Sequence, residues 1–334
     1  MLSALLVFVG AMVYGGSDFL GALASRRLSP IRVTAISAFS GLLLLLVLLP
    51  FLGGAWSAEA VLWGVVSGLA GAIAISLLYA SLAIGPMSIL SPLTALVSAL
   101  VPMTAGLLGG ERLPVIGYVA LGVALVAVVL VGFVPEKGAV RPSIRGLAMA
   151  VGSGAMIGVF LVVIDLTPAD SGVVPLVLSR SVNVAVMTAA AVVVGLAAAA
   201  RRSGGEARRR GGEAQRRSGE AQRRSGEAQR RGGAAGAAPP PDAPVAPVVS
   251  APVPRWARNA LVLAVICGIV DATANVLLLL ALRAGELTIV SVLTALYPAG
   301  TVILAAVLLR ERVAPVQVVG LVLAFAAAGM LALA

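Results

Sequence analysis

The sequence predicts an all-α integral membrane protein: ten transmembrane helices arranged as two inverted five-helix repeats around a central cavity. Three observations carry that expectation. Of 334 residues, 60% are apolar and 11% charged, and apolar runs such as Thr34–Phe51, Val61–Ile84 and Val115–Val134 have the length of about 20 residues that a helix needs to cross hydrocarbon. The stretch 85–113 reappears 200 positions later as 285–313 without a gap. Twelve of its 29 positions are identical, including Ser91/Ser291, Thr94/Thr294 and Glu111–Arg112/Glu311–Arg312. Each copy then holds an odd number of spans, so the second must enter the membrane upside down relative to the first.

The spans fall at roughly 3–24, 33–52, 61–84, 87–108, 115–134, 145–164, 173–198, 258–281, 286–309 and 315–334. Only helices suit these lengths, because every backbone polar group in lipid has to be paired within its own segment. The first span lacks the basic start of a secretory signal and contains Asp18, so it reads as a retained helix. Span four carries Pro92 and Pro102, and span nine carries Pro298 after Tyr297. Proline frees backbone carbonyls, and helices broken at corresponding places in two repeats point to a binding region. The prolines do not occupy matching positions, and membrane helices tolerate proline in general. Span six begins a weaker match to span one, in which Ala11, Met12 and Gly15 pair with Ala148, Met149 and Gly152.

These offsets define the organisation. Residues 1–136 form the first repeat, 137–198 and 256–334 the second, and 199–255 an insertion. The insertion repeats a seven-residue unit in "RRSGEAQRRSGEAQRRGG" and continues into an Ala/Pro-rich tether. It has no apolar seam and a glycine in each unit, which speaks for disorder rather than a coiled coil. Residues 201–231 hold eleven arginines and four glutamates, supplying +7 of the formal charge of +10. An arginine-rich loop can contact anionic lipid or nucleic acid; a loop that simply stays in the cytosol is the plainer expectation. Lys and Arg concentrate in loops 1–2, 5–6, 7–8 and 9–10, which puts that face, with the insertion, inside.

Two similar halves that exchange conformations around a midplane site are a recurrent solution for secondary transport. Beyond that general argument, "VYGGSDFLGALASRRLSP", with Tyr14 in a tryptophan position, resembles the opening helix of the EamA-domain branch of the drug/metabolite transporter superfamily. "GERLPVIGYVALGVALVAVVLVG" and "RERVAPVQVVGLVLAFAAAGML" resemble the turn and helix that close each of its domains. The likeness covers all but residues 199–257. It implies ten helices, a cavity between the halves, and import or export of a small metabolite.

Charged residues inside spans are costly and mark candidate sites. Asp271 and Asn275 stand four apart on one face of span eight, with Asp271 far from Arg258 and Arg283. Its carboxyl is the leading candidate for reversible protonation; the plain alternative is a structural interhelical hydrogen bond. Asp18 would bind a cationic group or a proton, or pair with Arg26 or Arg32. Arg180 and Asn183 form a further face, where a guanidinium could neutralise either acid or fork onto a substrate carboxylate. Tyr14, Tyr79 and Tyr297 offer hydroxyls or ring faces, and Thr94 and Thr294 are cavity-wall candidates that helix packing would explain almost as well. Glu111–Arg112 and Glu311–Arg312 read as turn chemistry rather than substrate contacts.

The single cysteine, Cys267, excludes an intramolecular disulfide, and the lack of histidine excludes histidine relays and metal sites. No phosphate-binding GxxxxGK[ST] segment occurs. No metal or cofactor is expected, and clustered catalytic acids are missing, which sets a membrane enzyme behind a transporter. The expected partners are a small-molecule substrate such as an amino acid, protons and the bilayer of the cell membrane. Lipophilic drugs as cargo, or a scaffold recruiting anionic partners through its arginines, are the alternatives.

Overall fold

The computed structural model describes residues 2–84, 87–132, 143–190, 192–193, 259–310 and 313–333. The insertion with its arginine-rich loop, the pair Glu311–Arg312 and the Tyr79 side chain lie outside the described residues.

All regular structure among the described residues is helical. The helices are α1 Leu2–Ser25, α2 Pro30–Leu52, α3 Ala58–Ile84, α4 Met87–Leu108, α5 Val115–Gly132 and α6 Ile144–Asp165. They continue with α7 Val174–Ala190, then α8 Ala260–Ala284, α9 Leu287–Thr294, α10 Tyr297–Leu308 and α11 Pro315–Leu333. Among the described residues nine stretches are long and apolar enough to cross a membrane, counting α9 and α10 as one, and α7 is a shorter apolar helix. The chain is therefore a multi-pass integral membrane protein. Its outward surface bears exposed Leu43, Val47, Phe51, Val119, Val322 and Phe325, which hydrocarbon solvates and water does not.

The two proline-bearing spans behave differently. Pro298 has no N–H to give to the carbonyl four residues back, and its ring crowds that carbonyl. Residue 294 is where α9 ends; the chain turns at Ala295–Leu296 and restarts with Pro298 in the first turn of α10, where proline is tolerated. By contrast α4 stays helical from Met87 to Leu108 with Pro92 and Pro102 inside it. The expected interruption of span four is thus absent, and Pro92 instead packs buried against Gly132 of α5.

Packing within the unit formed by residues 1–188 and 254–334 follows a regular scheme. Helix α1 lies on α8 and α6 lies on α3; α2 lies on α8, and α3 meets α7 where Gly64 and Gly68 face Leu178 and Ser179. Helix α4 crosses α6, while α1 crosses α9 and α10; α5 pairs with α11, and α4 with α9. Small residues set the close crossings. A Cβ at Gly15 would strike the Tyr297 carbonyl and the Thr301 nitrogen, and one at Gly154 would strike the Thr94 carbonyl and Val97. Such contacts let dispersion between backbones replace the hydrophobic force that lipid does not supply.

Candidate functional site: a charged cavity between α3, α7 and α8

A cavity of about 200 Å³ opens among α1, α2, α3, α6, α7 and α8. Helical periodicity places its walls. Leu176, Ser179, Arg180 and Asn183 follow i, i+3, i+4, i+7 on α7; Gly71, Ala74 and Ile75 follow i, i+3, i+4 on α3; Asp271 and Asn275 are i, i+4 on α8. Tyr14, Leu45, Ile157 and Phe160 complete the lining.

Charge is concentrated on one wall. The Arg180 guanidinium donates from Nη2 to Asp271 Oδ2, tying α7 to α8, and the two side chains keep only 17% and 23% of their surface exposed. Asn275 Nδ2 donates to the Asp271 backbone carbonyl at 2.9 Å and to its Oδ2 at 3.3 Å, so one amide holds the carboxylate in place. Asn183 Nδ2 donates to the Ser179 carbonyl at 3.1 Å, which turns its Oδ1 the other way, where it is buried with no partner. Tyr14 stands close enough to feel both Arg180 and Asp271. Leu45, Ala74 and Ile75 add an apolar part to the lining. In this setting the guanidinium and carboxylate attract strongly, and either left alone would be expensive.

Five residues singled out from sequence therefore converge: Asp271, Asn275, Arg180, Asn183 and Tyr14. Others lie elsewhere. Asp18 is exposed on α1 and outside the lining, although its charge reaches Asp271 and Tyr297. Tyr297 starts α10, with its backbone carbonyl against Gly15. Thr94 bonds the Leu90 and Ala150 carbonyls at 2.9 and 3.2 Å, a joint between α4 and α6, and Thr294 bonds the Val290 carbonyl at 2.7 Å. Neither is in the lining: the Thr94 hydroxyl joins two helices, and the Thr294 hydroxyl serves a carbonyl of its own α9. The sequence reasoning missed Ser179, Phe160 and Gly71. Ser179 was within reach, since it shares the α7 face with Arg180 and Asn183; the glycine and phenylalanine carry no signal until the helices are assembled.

The Glu111 carboxylate, expected to serve the turn after α4, reaches across the chain instead. Its Oε1 accepts from the Leu287 nitrogen at 2.7 Å and its Oε2 from the Thr288 nitrogen at 2.9 Å.

Comparison with known proteins agrees with this architecture. A solved crystal structure superimposes with a TM-score of 0.64 over 99% of this chain and 96% of its own, at 15% identity, which shows a common fold. No curated protein matches by sequence. The profile of the EamA-like transporter family matches residues 1–133 and 235–333. With more than half of its length matched, the chain belongs to the EamA-like transporter family of membrane transporters.

Proposed function

We propose that the protein is a secondary transporter of the cell membrane that carries a small polar metabolite bearing both a carboxylate and an amine, such as an amino acid. Residues 1–136 and the pair 137–198 and 256–334 act as inverted halves that open the cavity to one face and then the other. The observation that carries this reading is the Arg180–Asp271 pair in the cavity wall. A zwitterion can exchange partners with that pair, its carboxylate taking the guanidinium and its amine taking Asp271, so no buried charge is left alone. The volume of about 200 Å³ lies below the roughly 300–1,000 Å³ of sites for drug-sized ligands, which favours a metabolite over a lipophilic drug.

The packing scheme supports the inverted halves. Exchanging the first five spans with the last five turns α1 on α8 into α6 on α3, and α4 on α6 into the contact of α1 with α9 and α10. Coupling to protons has support of its own. Two carboxylates, Asp18 and Asp271, interact with each other while Arg180 compensates only Asp271. Of the two, Asp271 stands in the cavity wall, and it is the carboxylate assigned to the proton moving against the substrate. The basic insertion, by the distribution of Lys and Arg, faces the cytoplasm.

The test is a metabolite-resolved uptake screen with purified protein in proteoliposomes under imposed pH gradients. The reading expects saturable, gradient-dependent uptake of a zwitterionic solute, lost in Asp271→Asn. Flux in Asp271→Asn that keeps its parent rate and pH dependence overturns the assignment of that residue. Deleting residues 201–250 tests the scaffold alternative: transport that survives the deletion leaves that alternative without the only feature that recommends it.

A further inference from the structure

We propose that Glu111 is a latch that holds one face of the helix bundle shut, and that its release frees α9 to move. The inference rests on the reading that the two halves rock, and concerns how one closed state is held. The chain crosses once per span, so the ends of α2, α4, α6 and α8 share a face. On that face the turn after α4 reverses at Gly110, with φ +102, and aims Glu111 at the start of α9.

A helix start leaves its first N–H groups without intrahelical partners, and a residue at the N-cap usually supplies the acceptor. Here the N-cap residue, Glu286, makes no such bond with its side chain. The acceptor comes from 176 positions earlier in the chain, with each Glu111 oxygen taking one N–H, from Leu287 and Thr288. Charge-assisted bonds of this kind are about twice as strong as neutral ones, and the helix dipole adds to them. Thr288 Oγ1 also donates to the Met103 carbonyl at 3.3 Å.

The other described hydrogen bonds that tie the two halves on this face are neutral. The turn after α2 meets the turn after α6 through Ala55 N to Asp170 O at 2.9 Å and Val173 N to Gly53 O at 3.2 Å. Two further carboxylates face Glu111: Asp165 at the end of α6 and Glu286 itself, and both repel it. The latch is therefore an attraction to two amides opposed by two like charges, a balance that a modest displacement can reverse. Helix α9 is eight residues long and ends at the break at Ala295–Leu296. Once uncapped it is a short lever with a hinge already in place.

The test is a spin-label distance measurement on the full chain in lipid nanodiscs. Labels are placed on cysteines at Leu108 and Ala284, both exposed and at the ends of α4 and α8, in a Cys267→Ala background. The parent should give one dominant short distance. Glu111→Gln should raise the population of a longer distance roughly tenfold, the effect of losing about 1.4 kcal/mol of charge-assisted bonding, and Glu111→Asp should fall between the two. Leu287→Pro removes one donor at a helix position that accepts proline and should open the same face. Distance distributions unchanged by both Glu111→Gln and Leu287→Pro would overturn the latch. Because the readout needs no substrate, absent uptake in the proteoliposome screen would sink the transport reading while leaving this one to stand or fall alone.

Discussion

Arg180 on α7 and Asp271 on α8 form an ion pair inside the cavity wall, with Asn275 holding the carboxylate from one turn further along α8. That relationship makes the two charges one unit, and its energetics are testable by removing them singly and together. Arg180→Gln and Asp271→Asn should each destabilise the protein by about 3–5 kcal/mol, because each strands a charge out of water. The double variant should recover most of that loss. Thermal unfolding in one detergent checks it: additive effects of the two substitutions would show that the pair is not coupled.

Asn275→Ala should leave the fold intact and weaken substrate affinity. The loss of one hydrogen bond to a charged group, about 1.5 kcal/mol, corresponds to roughly tenfold in KM once a substrate is in hand. A fall in kcat with unchanged KM would instead indicate that the amide acts in the conformational step.

Gly15→Val should fail to fold or insert, since its first side-chain atom meets the Tyr297 carbonyl and the Thr301 nitrogen where α1 crosses α10. Gly122→Ala, with nothing within 4 Å of the added atom, should be neutral or slightly stabilising. Monodisperse yield from detergent separates the two. Equal yields would mean that the close crossing is not required.

Arg310 is the non-glycine residue with positive φ among the described residues, at 55°, and it stands 200 positions after Gly110, whose φ is +102. An L side chain in that conformation costs about 1–2 kcal/mol, while glycine adds about 0.5–1 kcal/mol of unfolded-state entropy. Arg310→Gly should therefore raise the melting temperature by about 1–2 °C. A lowered value would reveal a side-chain role for Arg310 that outweighs its strain.

Glu286 lies between α8 and α9, outside the spans. Burial, and next the nearby Glu111 charge, push its carboxyl above the ordinary 4.5, and its Oε2 has no hydrogen-bond partner. The folded protein thus holds this proton more tightly than the unfolded chain. Stability is lost as pH rises from the unfolded value through the folded one. Glu286→Gln should be more stable than the parent at neutral pH and equal to it below about pH 4.5. Melting curves across pH 4–8 check the crossover, and a constant offset between the two proteins would show that titration is not the cause.

Much of the architecture was legible because a bilayer imposes harsh rules on sequence. Apolar length pointed to the spans, and the two similar stretches 85–113 and 285–313 fall on α4 and on the α9–α10 pair. Buried charge pointed to Asp271 and Arg180. What sequence could not give is which hydroxyls line a cavity and which join helices. Thr94 and Thr294 carry the same chemistry as a substrate-binding threonine, yet each satisfies backbone carbonyls instead. Nor do the prolines announce their effect: α4 absorbs Pro92 and Pro102, while Pro298 coincides with a break.

The sequence by itself determined that this chain spans a membrane many times and belongs among transporters of its family, since hydrophobic length and internal repetition are properties of order along the chain. The tertiary structure decided the partners. Asp271 is 91 positions from Arg180, and Leu287 is 176 from Glu111. Both contacts depend on how helices cross, which is set by glycine-sized approaches such as Gly15 on Thr301 and Gly154 on Val97. Charges can be counted from a sequence, but which charge neutralises which is a matter of distance, and distance exists only once the helices are packed.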